Sequence, residues 1–164
     1  MPFTKLPRSI SAIAILAAPV LLAGCGGSSP KVAVKDFKGI YTTASDCADS
    51  GKLSYEDCSA AMAQAVQKHE TDAPSYGELR FCEAKEGDGK CEGGGEQKYR
   101  PKLFAFLVTV GKTTTAVPLY AHTKGEEGFR DLAGATYMHA SPDLVFSSHA
   151  QTMYEKIGKK PKKR

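Results

Sequence analysis

Five thiols punctuate this 164-residue chain, and their surroundings point to two different chemistries. Cys25 closes the run Leu22-Ala23-Gly24-Cys25, which follows an almost wholly apolar stretch from Ile10 to Leu22 and the positive charges of Lys5 and Arg8. Charged, apolar and small-residue zones in that order make an export signal. The cysteine adds a nucleophile: its thiol takes a diacylglycerol, after which a peptidase that admits small side chains cuts in front of it. Residues 1–24 are therefore expected to be a lipoprotein signal peptide, Cys25 the lipidation site and the lipid bilayer its partner. A membrane-spanning helix is the competing reading, but the run of about 13 residues falls short of the roughly 20 needed to cross, and Pro19 interrupts it. At ~0.8 kcal/mol per buried CH2, two or three acyl chains would make the anchor effectively permanent.

The other four cysteines, Cys47, Cys58, Cys82 and Cys91, form an even set in a chain expected to be exported, so disulfides are the default. Their gaps of 10, 23 and 8 residues include neither the close pairs of a zinc site nor a redox-active C-x-x-C. Three pairings are open. Tyr41-x5-Cys47 followed by Cys58 is echoed by Tyr76-x5-Cys82 followed by Cys91; if these are copies of one unit, the pairs are Cys47 with Cys58 and Cys82 with Cys91. Closing such short loops stabilises by roughly 2.5 to 3 kcal/mol each in the chain-entropy model.

Other candidate motifs fail on their spacing. Gly111-Lys112-Thr113-Thr114 looks like the end of a phosphate-binding loop, but Phe106 stands where that loop needs a glycine, so a hairpin turn is the better reading. His69, His122, His139 and His149 are scattered without an i, i+4 pair, which suits surface or satisfied polar residues rather than metal ligands. Ser148 and His149 are sequence neighbours, an arrangement that does not build a nucleophile and base, and Glu126-Glu127 sits among glycines as a solvated loop. No catalytic residue, metal or cofactor is expected. Lys159, Lys160, Lys162, Lys163 and Arg164 form the strongest charge cluster, read either as a solubilising tail or as a contact to anionic lipid or envelope polymer worth about 1 kcal/mol per base.

These residues need elements to position them. The chain carries 22 Lys+Arg against 18 Asp+Glu, but six bases lie in Lys156 to Arg164, so the body between Cys25 and Glu155 is mildly acidic. That polarity argues against nucleic acid, which would want bases spread over a folded face. Residues 25–40 read as a lipidated flexible tether, residues 41–157 as a single small domain and residues 158–164 as a basic disordered tail. Within the domain, Ser54 caps a helix whose apolar face is Cys58, Ala61, Met62, Ala65 and Val66, ended by Pro74. Ser75 repeats the capping pattern before a shorter helix through Cys82, stopped by Gly87-Asp88-Gly89. Residues 92–96 read as a glycine hinge. Beyond it, Leu103 to Val110 reads as an interior strand with Phe104, Phe106, Val108 and Val110 on one face and Leu103, Ala105 and Leu107 on the other. Thr114 to Tyr120 returns as a hairpin partner, placed at an edge by Pro118, and weaker strands fall at 135–139 and 144–146. Ala150, Met153, Tyr154 and Ile157 share a helix face, with Ser147 or Ser148 as cap. The fold class is α+β: a small disulfide-stapled helical part, a short antiparallel hairpin or sheet and a C-terminal helix.

The lipobox, the Tyr-x5-Cys pattern, Ala73-Pro74-x-Tyr76 and Gly87-x-Gly89-x-Cys91 together resemble the YgiB-like uncharacterised lipoproteins of Gram-negative bacteria. The likeness covers roughly residues 20 to 92, with a weaker echo at Pro118-Leu119-Tyr120 and 128–137; after Gly95 the chain is shorter and more strand-like than that family's pattern. The resemblance implies lipidation at Cys25 and a cell-envelope location, and supplies no catalytic residue. The expectation is a lipid-anchored protein facing the periplasm, a non-enzymatic module that contacts an envelope protein or anionic polymer. Gly26, rather than Asp, after the lipidated cysteine favours the outer membrane over the inner. The alternatives are an envelope-acting enzyme of unrecognised type and a small-ligand or metal carrier.

Overall fold

The computed structural model describes residues 36–123 and 127–158. The signal peptide, Cys25, most of the tether, Glu126 and the tail bases Lys159, Lys160, Lys162, Lys163 and Arg164 lie outside the described residues. In chain order the elements are β1 (Phe37–Tyr41), α1 (Ala44–Ala48), α2 (Tyr55–Asp72), α3 (Leu79–Glu86), β2 (Cys91–Gly93), β3 (Tyr99–Pro101), β4 (Leu103–Val110), β5 (Thr115–Ala121), β6 (Phe129–Arg130), β7 (Thr136–Tyr137), β8 (Leu144–Phe146) and α4 (Ser148–Gly158). This is a mixed α+β fold, but its sheet is larger than a hairpin. Six strands run in the order β7-β6-β5-β4-β1-β8, and β2 pairs with β3 apart from them. Neighbours are antiparallel except β1 and β8.

The sheet is covered on both sides, which is why β4 carries almost no polar residue. On one face Tyr41, Phe106, Val108 and Val110 pack with Cys47, Cys58, Met62 and Ala65 of α1 and α2. On the other, Ile40, Ala105, Leu107, Leu119 and Phe129 pack with Ala150, Tyr154 and Ile157 of α4. Each fully buried large side chain contributes about 1.5 to 3 kcal/mol. The expected faces of β4 need one correction: Phe104 joins the α4 side and Leu103 the α2 side. A register shift between Leu103 and Ala105 breaks the alternation there.

Local chemistry explains the helix ends. The Ser54 hydroxyl accepts from the Asp57 amide at 3.1 Å and donates to the Asp57 carboxylate at 2.9 Å, so α2 starts as expected. Ala73, extended before Pro74, ends it. The Ser147 hydroxyl accepts from the Ala150 amide at 3.0 Å and caps α4, and the Lys90 ammonium donates to the Ile157 carbonyl at 2.7 Å near its other end.

Several expected boundaries move. Residues 37–40, assigned to the tether, are strand β1, because Ile40 and Tyr41 feed opposite faces of the core. α1 has no apolar period of its own and is built by Thr43, whose hydroxyl accepts from the Asp46 amide at 3.1 Å. The cap of helix α3 lies three residues beyond the expected Ser75: Tyr76 instead exchanges backbone hydrogen bonds of 2.8 Å with Tyr99, and the cap position falls to Glu78, without a side-chain bond. The glycine hinge is no hinge: Glu92 and Gly93 are paired residues of β2, and residues 94–96 belong to the turn of the β2–β3 hairpin. β5 is not an edge strand; β6 pairs with it at Tyr120 and Ala121, beyond Pro118, so the proline spares the ladder.

One glycine in β1 is there for space. A Cβ on Gly39 would lie 2.5 Å from the Cε2 and hydroxyl oxygen of Tyr41, whose buried ring lies back over it. Gly39→Ala therefore overpacks the α2 side of the sheet and should lower unfolding stability by about 1 to 3 kcal/mol in a denaturant melt. Gly93→Ala, where nothing lies within 4 Å, should change it by no more than about 0.5 kcal/mol.

Candidate functional site

The sulfurs come first because they place everything near them. Cys47 bonds Cys58 and Cys82 bonds Cys91, the pairing that the Tyr-x5-Cys echo favours. The echo is nevertheless not a structural repeat: the first bridge joins two helices, α1 and α2, and the second joins helix α3 to strand β2.

Held by the first bridge, α1 presents the buried carboxylate of Asp46 to the start of α4. One Asp46 oxygen, Oδ2, accepts from the Ser147 hydroxyl at 2.6 Å, the Thr42 amide at 2.8 Å and the Thr42 hydroxyl at 3.2 Å. The other, Oδ1, lies 3.2 Å from Nδ1 of the exposed His149. Burial pushes the Asp46 pKa up, but these hydrogen bonds to the charged form outweigh it and the net shift is downward. Beside Asp46 opens a cleft of about 330 Å³, lined by Phe37, Tyr41, Lys52, Val145 and Ser148 among others.

A second cluster lies where α2, α3 and the β2–β3 hairpin meet the sheet. His69 is fully buried, with Nδ1 3.0 Å from the Tyr120 hydroxyl and Nε2 2.9 Å from Glu92 Oε1. Burial raises the Tyr120 pKa to about 12 against the opposing pull of Arg130 and Arg100, so its hydroxyl keeps its proton. With the proton on Nε2, His69 donates to Glu92 and accepts from Tyr120 at Nδ1, the tautomer that satisfies both contacts. Glu92 also accepts from Arg100 Nε at 3.2 Å and from the Leu103 amide at 3.4 Å. Next to it, Arg130 lies over the Tyr120 ring at 5.4 Å and pairs with Glu86, which accepts from the Tyr76 hydroxyl at 2.9 Å. Burial, then the Glu86 carboxylate, raise the Tyr76 pKa to about 12. Two carboxylates face two guanidiniums here, so the cluster is balanced in charge, and Arg130 Nε is its one buried side-chain polar atom without a partner among the described residues. That suits a junction between layers better than an acid–base centre.

The remaining sequence candidates do not converge. His122 and His139 stand apart from both clusters, Gly111-Lys112 is in the turn between β4 and β5, and Glu127 takes the Tyr154 hydroxyl at 3.4 Å. Among the described residues no three His, Cys, Asp or Glu side chains gather as a metal site, and no helix is long and apolar enough to cross a membrane. Sequence reasoning missed both clusters. His69 continues the spacing of Cys58, Met62 and Ala65, which marks it as part of the buried face; two of the partners of Asp46, Ser147 and His149, lie a hundred residues away and leave no local trace.

The model of the family described as "Protein of unknown function (DUF1190)" matches residues 35–164, which includes the C-terminal half that the cysteine pattern does not reach. This chain belongs to that family. Two proteins named UPF0441, from two strains of Klebsiella pneumoniae, are each 30% identical to it over 86 residues, 52% of this chain and 36% of the relative. The match thus spans about a third of the length of these curated relatives. No solved structure matches. The YgiB-like resemblance belongs to this same uncharacterised family.

Two expectations follow from the clusters. A carboxyl whose folded pKa is lowered adds stability above the pKa of the unfolded group, about 3.9, and loses it as pH falls through the lower folded value. Asp46→Asn should therefore cost about 2 kcal/mol above roughly pH 5, a gap that narrows below about pH 4, in urea melts across pH. Glu86→Leu leaves the largely buried Arg130 without its counter-charge and should cost about 3 kcal/mol, whereas Arg80→Ala, in an exposed pair with Glu78, should cost under about 1 kcal/mol.

Proposed function

We propose that this protein is a cell-envelope lipoprotein, acylated on Cys25 and cut before it, whose folded part is a non-enzymatic module engaging another envelope component. The observation that carries this reading is the run Leu22-Ala23-Gly24-Cys25 behind a short, proline-broken apolar stretch. Two disulfides in short loops suit a chain that matures in an oxidising compartment. The balanced interior clusters hold layers together and leave no open pair of groups for acid–base chemistry in that junction. Gly26 makes the outer membrane the favoured address, with the domain facing the periplasm. Lys159, Lys160, Lys162, Lys163 and Arg164 supply a salt-sensitive second contact to anionic lipid or polymer, each base adding about 1 kcal/mol near such a surface.

Metabolic labelling with radioactive palmitate tests the anchor. The wild-type chain should take up label and sediment with membranes, while Cys25→Ala should remain unlabelled with residues 1–24 attached. A wild-type chain that stays water-soluble and unlabelled defeats the reading.

A further inference from the structure

At the end of the sheet where β4 begins, two cations share one aromatic ring. The ammoniums of Lys90 and Lys102 each lie 5.6 Å from the centre of the Phe104 ring, and Lys90 also donates to the Ile157 carbonyl at 2.7 Å. Neither forms an ion pair among the described residues; Asp88, two positions before Lys90, is exposed and pairs with neither. Burial, then the charge of Lys102, lowers the Lys90 pKa, so the two ammoniums repel each other. The face of an aromatic ring attracts a cation but carries no net charge to cancel it. Lys102 is exposed and Lys90 half-buried, so an anion from outside the domain can reach the pair and relieve the repulsion.

The basic tail adds to this end instead of neutralising it. Ile157, bonded to Lys90, stands two positions before Lys159, so the tail leaves the fold beside the lysine pair. The tether joins at the other end: Phe37 pairs with Val110, whereas Lys102 precedes Leu103, and the two ends of β4 lie roughly 20 Å apart at about 3.3 Å per residue. Fully extended, residues 26–36 reach up to roughly 35 Å, farther than that separation. We propose that Lys90 and Lys102, with the tail that follows α4, dock on the phosphates of anionic lipid in the same bilayer that holds the acyl chains. This deepens the tail contact proposed above and takes its choice of surface from acylation of Cys25. Lipid within reach of the tether meets the cations at a high effective concentration, so contacts that are individually weak hold the domain down; a polymer free in solution lacks that advantage.

The test places the mature, nitrogen-15-labelled chain in nanodiscs of phosphatidylcholine, with or without phosphatidylglycerol, carrying a spin label on the headgroups. Amides of Lys90, Lys102, Phe104 and Ile157 should broaden in the anionic discs, sharpen again at high salt, and stay sharp in the neutral discs. At intermediate salt Lys102→Gln should weaken docking about fivefold, with its tail intact and its melting temperature unchanged. Lys112→Gln, which removes a base in the turn at the tether end, should leave docking as it is. Intact mass reports acylation separately, so an unacylated chain ends both this proposal and the anchor reading. An acylated chain ends this proposal alone if it broadens equally in neutral discs, if Lys102→Gln has no effect, or if Lys112→Gln weakens docking as much. Sharp amides in anionic discs that shift instead with soluble polyphosphate would assign the site to a polymer and overturn lipid docking.

Discussion

Closure of two short loops by sulfur is the constraint on which the other contacts rest. Helix α1 has five residues and α3 has eight, both too short to persist on their own hydrogen bonds. Cys47–Cys58 fastens the first to α2, and Cys82–Cys91 fastens the second to β2. Loops of this size remove enough freedom from the unfolded chain to stabilise by about 2.5 to 3 kcal/mol each. Three of the four half-cystines are fully buried, so the bridges are also part of the packing. Because α1 is held, Asp46 meets Ser147 and His149; because α3 is held, Glu86 meets Arg130.

Charge inside the molecule does the joining that apolar area does elsewhere. The hairpin of β2 and β3 contributes little to either core cluster, and it is attached through Glu92 to His69, through the Cys82–Cys91 disulfide and through the Tyr76–Tyr99 bridge. Such contacts are directional, so they fix the hairpin's orientation as well as its attachment. The Asp46 corner works the same way across the edge of the sheet, linking α1 to the start of α4. Beside it the cleft differs in kind: Phe37, the Tyr41 ring and Val145 make much of its wall apolar.

How far the sequence discloses this depends on whether the signal is local. α2 and α4 were legible because Ser54 and Ser147 cap them and their apolar residues recur at helical spacing. The interior position of β4 was legible because both its faces are apolar. Strand β1 was not: it is five residues long, includes Gly39 and Lys38, and acquires its identity from Thr109 and Val145 across the sheet. The bulge at Leu103 and the placement of Pro118 also depend on partners distant in the chain. The cysteine pairing was reached through an echo that the fold does not repeat, so short spacing, rather than duplication, is its physical basis. Neither Asp46 nor His69 drew attention, since the contacts that tie them to other layers, Ser147 and His149 for Asp46 and Tyr120 for His69, come from residues 101 to 103 and 51 positions away.

Two sulfur bridges join α1 to α2 and α3 to β2, and the proposed export would oxidise them. The direct measurement is to quench growing cells in acid, alkylate every free thiol, and digest the protein without reductant for mass spectrometry. Cys47, Cys58, Cys82 and Cys91 should all escape alkylation and appear as two linked peptide pairs, Cys47 with Cys58 and Cys82 with Cys91. Four alkylated thiols in the freshly quenched protein, or crossed linkages, would contradict it.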